Sequence, residues 1–196
     1  MPSGPARRRR RRGPRGPGLV RPLVAYYSLS GFTEKLAVAT AGALTEHDVE
    51  LLKIVPAKPY SYFSAGVRGV TEAMAGTVVD LESPIPRVGS YDALAVFSPT
   101  WGWMSSPPVR SFVARLPDGG GLPAVVGVTH SGGPIGSFER LARLVLERGY
   151  TVLEALSVFC YRRDAIDEAA ARAAAALVSA TEAPTDQVGL SADHGG

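Results

Sequence analysis

Apolar runs of strand length alternate along the chain with segments in which apolar residues recur every three or four positions. The runs contain few charged residues, which is typical of strands buried on both faces of a parallel sheet. We predict strands at 22–27, 49–55, 91–99, 123–131 and 151–159. None of the runs reaches the roughly 18–20 residues that a membrane-spanning helix needs.

Helical patterns occupy most of the gaps between these runs. Apolar residues at helical spacing predict helices at 33–44, 106–116, 136–150 and 164–180. The segment 56–86 is the least regular part of the chain. Within it, 64–76 is predicted to be a helix weakened by glycine, in the position of the second crossover.

The alternation of buried strands with helices predicts an α/β fold with a doubly wound, five-stranded parallel sheet and right-handed crossovers. In such a sheet ligands bind beyond the carboxyl ends of the strands, where the strand order reverses. The loops that follow the first, third and fourth strands are therefore the segments in which we expect a functional site.

Composition separates a basic tail from a mildly acidic body. The chain has 196 residues and a formal net charge of +3, but eight of its 21 basic residues lie in 1–21, which contains no acid. We predict a disordered Arg/Pro/Gly-rich tail over 1–21, one domain over 22–182 and a flexible tail over 183–196. The arginines are either a solvated extension or an anchor for nucleic acid or another anionic surface, and we expect the former.

The single cysteine, Cys160, excludes a disulfide framework and a cysteine-based zinc site. It is expected to be a packing residue, because free cysteine is among the most often buried side chains. Low cysteine content and the absence of a secretory pattern after the arginines predict a cytoplasmic protein.

The first loop, 28–33, places three side-chain hydroxyls and a glycine between the first strand and the first helix. Backbone N–H groups at a helix N-terminus, together with hydroxyls, hold a phosphate without any lysine. The dinucleotide pattern GxGxxG and the P-loop pattern GxxxxGK[ST] are both absent, which argues against a dehydrogenase or an NTPase. The alternative is a helix cap with spare serines.

The second and third loops carry different chemistry. In 98–108, Trp101 and Trp103 flank Gly102, and their rings either stack on a planar ligand or fold back over the sheet edge. In 129–137, a glycine-rich segment allows close approach of backbone to a ligand. His130 in this loop is either a general acid or, as we expect, a structural hydrogen-bonding residue.

Together the three loops resemble those of the flavodoxin family. The family's phosphate pattern [ST]-x-[ST]-G-x-T is matched by Ser28, Ser30, Gly31 and Thr33, and the similarity extends over about 22–180. The resemblance implies a flavodoxin-like sheet with strand order 2-1-3-4-5, and FMN as cofactor. The residues it implies for cofactor binding are Ser28, Leu29, Ser30, Gly31, Phe32, Thr33, Pro99, Thr100, Trp101, Gly102, Trp103, Met104, Thr129, His130, Ser131, Gly132 and Gly133.

The resemblance also implies roles within this set. The FMN phosphate is expected on 28–33 and the flavin ring between the second and third loops, with Trp101 as its partner and Trp103 or Met104 close by. No catalytic residue and no metal ligand is assigned.

The implied function is electron transfer with a redox partner protein, or reduction of a quinone-like small molecule by NAD(P)H. The alternative is a flavin-free interaction module of the same fold. Nucleic-acid binding is not expected, and the sequence leaves the number of subunits open.

Overall fold

The computed structural model describes residues 19–182. Its strands are β1 Pro22–Tyr26, β2 Glu50–Lys53, β3 Ala93–Trp101, β4 Met104–Ser105, β5 Pro123–His130 and β6 Thr151–Phe159. Its helices are α1 Phe32–Gly42, α2 Tyr62–Ser64, α3 Val70–Ala75, α4 Pro107–Arg115, α5 Ser137–Glu147 and α6 Arg163–Glu182. A π-helical turn, Ala65–Gly69, joins α2 to α3, and a 3₁₀ turn spans Val88–Ser90.

The five long strands form a parallel sheet in the order β2-β1-β3-β5-β6. The two-residue strand β4 pairs antiparallel with the end of β3. If β4 is left out of the count, this is the predicted order 2-1-3-4-5, so the predicted fold class is confirmed. The order reverses between β1 and β3, and the site is expected at that point.

The core lies in two layers, one on each face of the sheet. Successive residues of β1 point to opposite faces, so Leu23 and Ala25 pack with α4 and α5, whereas Val24 and Tyr26 pack with α1 and α6. This period of two, with both faces buried, explains why the strands read as continuous apolar runs. The helices on both faces make the fold doubly wound.

The irregular segment contains a helix from Tyr62 to Ala75 whose middle is the π turn Ala65–Gly69. Ser61 and Ser64 form a reciprocal capping box at its start, and Gly76, with φ +73°, ends it. The helix thus begins two residues before the predicted 64–76. A π turn within a helix often marks a functional region.

The packed chain begins before the predicted boundary at residue 22. Val20 is buried, and the Arg21 guanidinium donates to Glu50 at 2.9 Å while the Arg21 amide donates to Asp92 at 2.8 Å. Residues 19–21 therefore belong with the domain. The remainder of the predicted N-terminal tail, 1–18, and the predicted tail 183–196 lie outside the described residues, so the two tails stay predictions.

Within 19–182 no helix combines the length and the apolar character needed to cross a bilayer.

Candidate functional site

A cleft opens at the carboxyl edge of the sheet, where the three predicted loops meet. Its walls come from the loops after β1, β3 and β5 and from the loop after β6. The lining residues are Ser30, Phe32, Pro99, Thr100, Trp101, Thr129, His130, Ser131, Cys160 and Tyr161. Eight of these ten were predicted as cofactor-binding residues.

The first loop turns into α1 through a left-handed glycine. Gly31 has φ +87°, a conformation that favours glycine, and its amide donates to Ser28 Oγ at 3.0 Å. No side chain caps the N-terminus of α1. The first N–H groups of this helix are thus left for another acceptor, and the exposed Ser30 lies beside them.

Thr33 differs from the other hydroxyl residues of the first loop, because it is 1% exposed. Its Oγ1 lies 2.7 Å from Thr129 Oγ1, and Thr129 is also buried. This hydrogen bond joins α1 to β5 beneath the cleft. Thr33 therefore holds α1 against β5, and its predicted contact with the cofactor stays a prediction.

Two further hydroxyl pairs continue this floor. Ser98 Oγ and Ser106 Oγ lie 3.1 Å apart and join β3 to the start of α4. Thr100 Oγ1 and Ser137 Oγ lie 3.3 Å apart and join β3 to α5. The elements under the cleft are thus joined to one another by neutral hydroxyls.

The second loop is a two-residue hairpin between β3 and β4. Trp101 pairs with Met104, and the central residues Gly102 and Trp103 have φ +55° and +63°. Positive φ at both central residues is the pattern of a type I′ turn, which favours Asn and Gly. Trp103 is the only non-glycine residue with positive φ among those described, and such strain is often found at functional sites.

The two tryptophan rings point in different directions. The Trp101 ring lies edge-on to Tyr27 and Tyr60, with centroids 5.7 and 5.0 Å away, and packs against Gly69. The Trp101 ring therefore packs over the sheet edge while the residue still lines the cleft, and its predicted contact with the flavin stays a prediction. The Trp103 side chain is 52% exposed, which leaves its ring available to a ligand.

The third loop is rich in positive φ at Gly132, Gly133 and Gly136. It is tied to the second loop by Arg140 of α5, whose Nη1 donates to Trp103 O at 3.2 Å and to Ile135 O at 2.8 Å. Arg140 was not predicted, because nothing in the spacing of either loop points to an arginine in the following helix.

His130 ends β5 within the cleft, and burial lowers the pKa of its imidazole. Its Nδ1 atom is buried without a hydrogen-bond partner among the described residues. No lysine, arginine or carboxylate is among the residues that line the cleft. The residues that line the cleft therefore carry no lysine, arginine or carboxylate charge, and His130 Nδ1 has no partner among the described residues.

Comparison with known proteins gives no matching family model and no matching curated protein. Solved structures do match. A flavoprotein from Lactobacillus acidophilus in complex with FMN is 15% identical over 70% of this chain and 93% of its own, with a TM-score of 0.59. Flavodoxin 2 from Bacillus cereus is 18% identical over 82% and 99%, with a TM-score of 0.52. The chain has the flavodoxin fold.

A third solved structure supports the same fold. A candidate flavoprotein from Bacteroides uniformis is 18% identical over 76% of this chain and 97% of its own, with a TM-score of 0.62. The flavodoxin fold predicted from the three loop motifs is thereby confirmed.

Sequence reasoning missed the wall of this flavodoxin-fold cleft formed by the loop after β6. Cys160 and Tyr161 line it, and Tyr161 packs edge-on against Phe32 and Phe159, with centroids 5.5 and 5.6 Å away. A signal was present, because Phe159 ends the fifth predicted strand and Tyr161 follows two residues later. That strand lies beside β5 and therefore ends next to the third loop.

Several predicted residues lie near the cleft but do not line it. They are Ser28, Leu29, Gly31, Thr33, Gly102, Trp103, Met104, Gly132 and Gly133. Five of them have positive φ and shape the loops: Gly31, Gly102, Trp103, Gly132 and Gly133.

An exposed apolar surface borders the hairpin and the third loop on the side of α2 and α3. We call it the apolar rim, and its side chains are Tyr62, Phe63, Val67, Met74, Trp103 and Ile135. Exposed apolar side chains in such number next to a cleft indicate a binding surface.

Proposed function

We propose that the protein binds FMN in the cleft and acts as a redox protein. The observation that carries this proposal is the convergence, on a flavodoxin fold, of three loops that present neutral donors and left-handed glycines to one cleft. The similar solved structure from Lactobacillus acidophilus, which is in complex with FMN, supports the choice of cofactor.

The phosphate end is assigned to the first loop. The uncapped N-terminus of α1 supplies backbone N–H groups and partial positive charge. Ser30 is exposed beside it and adds a hydroxyl donor. Ser28 holds the loop through the Gly31 amide, and Thr33 fixes α1 to β5, so these two residues shape the cradle.

The ring end is assigned to the hairpin and the third loop. Trp101 lines the cleft, and Trp103 of the same hairpin exposes an aromatic face beside it. His130 Nδ1 is a buried polar atom with no hydrogen-bond partner among the described residues. An oxygen or nitrogen of a flavin ring would satisfy it. When bound, FMN supplies hydride and single-electron transfer, and the protein supplies position and electrostatics.

Among the two redox roles, the lining of the cleft favours reduction of a small molecule. A carrier that docks on a basic partner protein needs an acidic surface around its cofactor. Among the described residues that line the cleft there is no carboxylate, and several are aromatic. Such a lining suits a planar, weakly polar acceptor such as a quinone, with NAD(P)H as electron donor.

The cofactor assignment is tested by titrating the protein with FMN and with riboflavin, with flavin fluorescence as the signal. We expect FMN to bind more tightly than riboflavin, because riboflavin lacks the phosphate. Ser30→Ala should weaken FMN binding by about 1.5–3 kcal/mol, the range for a hydrogen bond to a charged group, and leave riboflavin binding unchanged. Ser179→Ala, on the exposed face of α6, is the matched control.

Equal affinity for the two flavins would place the phosphate elsewhere. Absence of binding by both would reject the FMN proposal and favour the flavin-free interaction module. The reductase role is tested separately by anaerobic mixing of the FMN-loaded protein with NADH or NADPH. If neither donor bleaches the flavin, direct reduction by NAD(P)H is excluded and the carrier role is favoured.

A further inference from the structure

We infer that the apolar rim is the interface through which two copies of this chain associate. The exposure of its side chains is high for a monomer's surface: Phe63 is 83% exposed, Tyr62 71% and Val67 62%. Each is a large apolar side chain exposed to solvent on the surface of a helix, at a position where a polar residue would be expected in a monomer. Isolated exposed apolar residues are common, but a continuous group of them marks an interface.

The rim is continuous from the helix to the third loop. Phe63 and Val67 lie one turn apart on the helical segment, and Met74 lies at its end. A Cβ on Gly102 would lie 3.3 Å from Met74 Cγ, so the helix directly abuts the hairpin. Trp103 follows Gly102, and Arg140 joins its carbonyl to that of Ile135.

The rim is large enough for association. Aromatic side chains bury roughly 150–250 Å² each, so its three exposed rings alone present on the order of 400 Å². The aliphatic side chains of Val67, Met74 and Ile135 extend this area. A stable interface buries about 800 Å² on each partner, a size that the rim and its immediate surroundings can supply.

The charge around the rim fits a second copy better than a charged partner. Arg68, on the flank of the helix, pairs with Glu72 at 3.8 Å, so neither sign dominates there. A twofold interface brings a surface against itself, which requires that the surface not repel its own copy. The side chains of the rim are apolar, and the cation between Trp103 and Ile135, Arg140, is held by their two backbone carbonyls. Such a surface meets this requirement, and the hairpin of each copy would then lie in the interface.

The test is sedimentation equilibrium of the full chain over a range of concentrations. We expect a mass of twice the chain's 20.6 kDa at high protein concentration, with or without FMN. Phe63→Ser and Val67→Ser should each weaken the dimer by roughly tenfold or more, as at an interface hot spot. Val38→Ser is the matched control, because Val38 is a helical valine, 52% exposed, on α1.

Three results would overturn the inference: a monomer at every concentration, a dimer unaffected by both rim variants, or an equal effect of Val38→Ser. Circular dichroism checks that each variant is folded, which is expected because all three positions are exposed. The inference does not depend on the proposed cofactor. Failure to bind FMN would leave a dimer in place, whereas a monomer that binds FMN would reject the interface alone.

Discussion

Trp103 holds a conformation that its side chain disfavours. At φ +63° a residue with a Cβ costs about 1–2 kcal/mol, whereas glycine and asparagine adopt this region readily. The ring is half exposed, so burial of the indole does not account for the choice. A tryptophan here is explained by a ligand or a partner that uses the ring.

Two substitutions of Trp103 separate the energetic cost of its backbone conformation from the contribution of its ring to FMN binding. Trp103→Asn should be more stable than Trp103→Ala by about 1 kcal/mol, because asparagine tolerates left-handed backbone and alanine does not. Both variants lack the indole, so both should lose FMN affinity to the same extent. Urea unfolding and flavin titration measure the two effects. Equal stability of the two variants would show that the turn is not strained.

At the scale of elements, the helix from Tyr62 to Ala75 and the hairpin of the second loop pack closely because a glycine lies at each point of contact. A Cβ on Gly69 would lie 2.7 Å from Cζ3 of Trp101, and one on Gly102 would lie 2.8 Å from Val70 Cγ1. Gly69 itself has a helical conformation, with φ −64°. Its glycine is therefore required by the approach of the Trp101 ring and not by the backbone.

The π turn offers a matched pair to test this contact. Gly69→Ala should destabilise the protein by about 1–3 kcal/mol, because the Trp101 ring must shift. Gly66→Ala, in the same turn with nothing within 4 Å of the added Cβ, should be neutral or stabilising by up to about 1 kcal/mol. Urea unfolding gives both values, and near-UV circular dichroism should change only for Gly69→Ala. Similar losses for both variants would contradict the packing argument.

These elements also show how far the sequence alone leads. The buried strands could be predicted because an apolar run such as 22–27 records burial on both faces, and their carboxyl ends then identify the loops of the cleft. The hairpin could not be predicted, because its second central residue, Trp103, has positive φ, and turn preferences place asparagine or glycine, not tryptophan, at such a position. The direction of the Trp101 ring depends on Gly69 and Tyr60, which are distant in sequence.

At the scale of the whole molecule, the division between tail and domain depends on Arg21. By composition it is one of eight arginines in 1–21, yet its guanidinium lies over the Tyr91 ring, 5.1 Å from the centroid. The Asp48 amide donates to Val20 O at 3.0 Å, and the Asp92 amide donates to Arg21 O at 2.9 Å. Residues 19–21 thus connect the segments that enter β2 and β3.

Two truncations that differ by three residues test this division. Removal of 1–18 should leave the free energy of unfolding unchanged, because this Arg/Pro/Gly-rich segment has almost no apolar surface to bury. Removal of 1–21 should lower it by about 2–4 kcal/mol, since it exposes the surface that Val20 covers and removes charge-assisted hydrogen bonds of Arg21. Arg21→Gln in the full chain should show part of that loss. Equal stability of the two truncated proteins would mean that residues 19–21 do not stabilise the domain and belong with the tail.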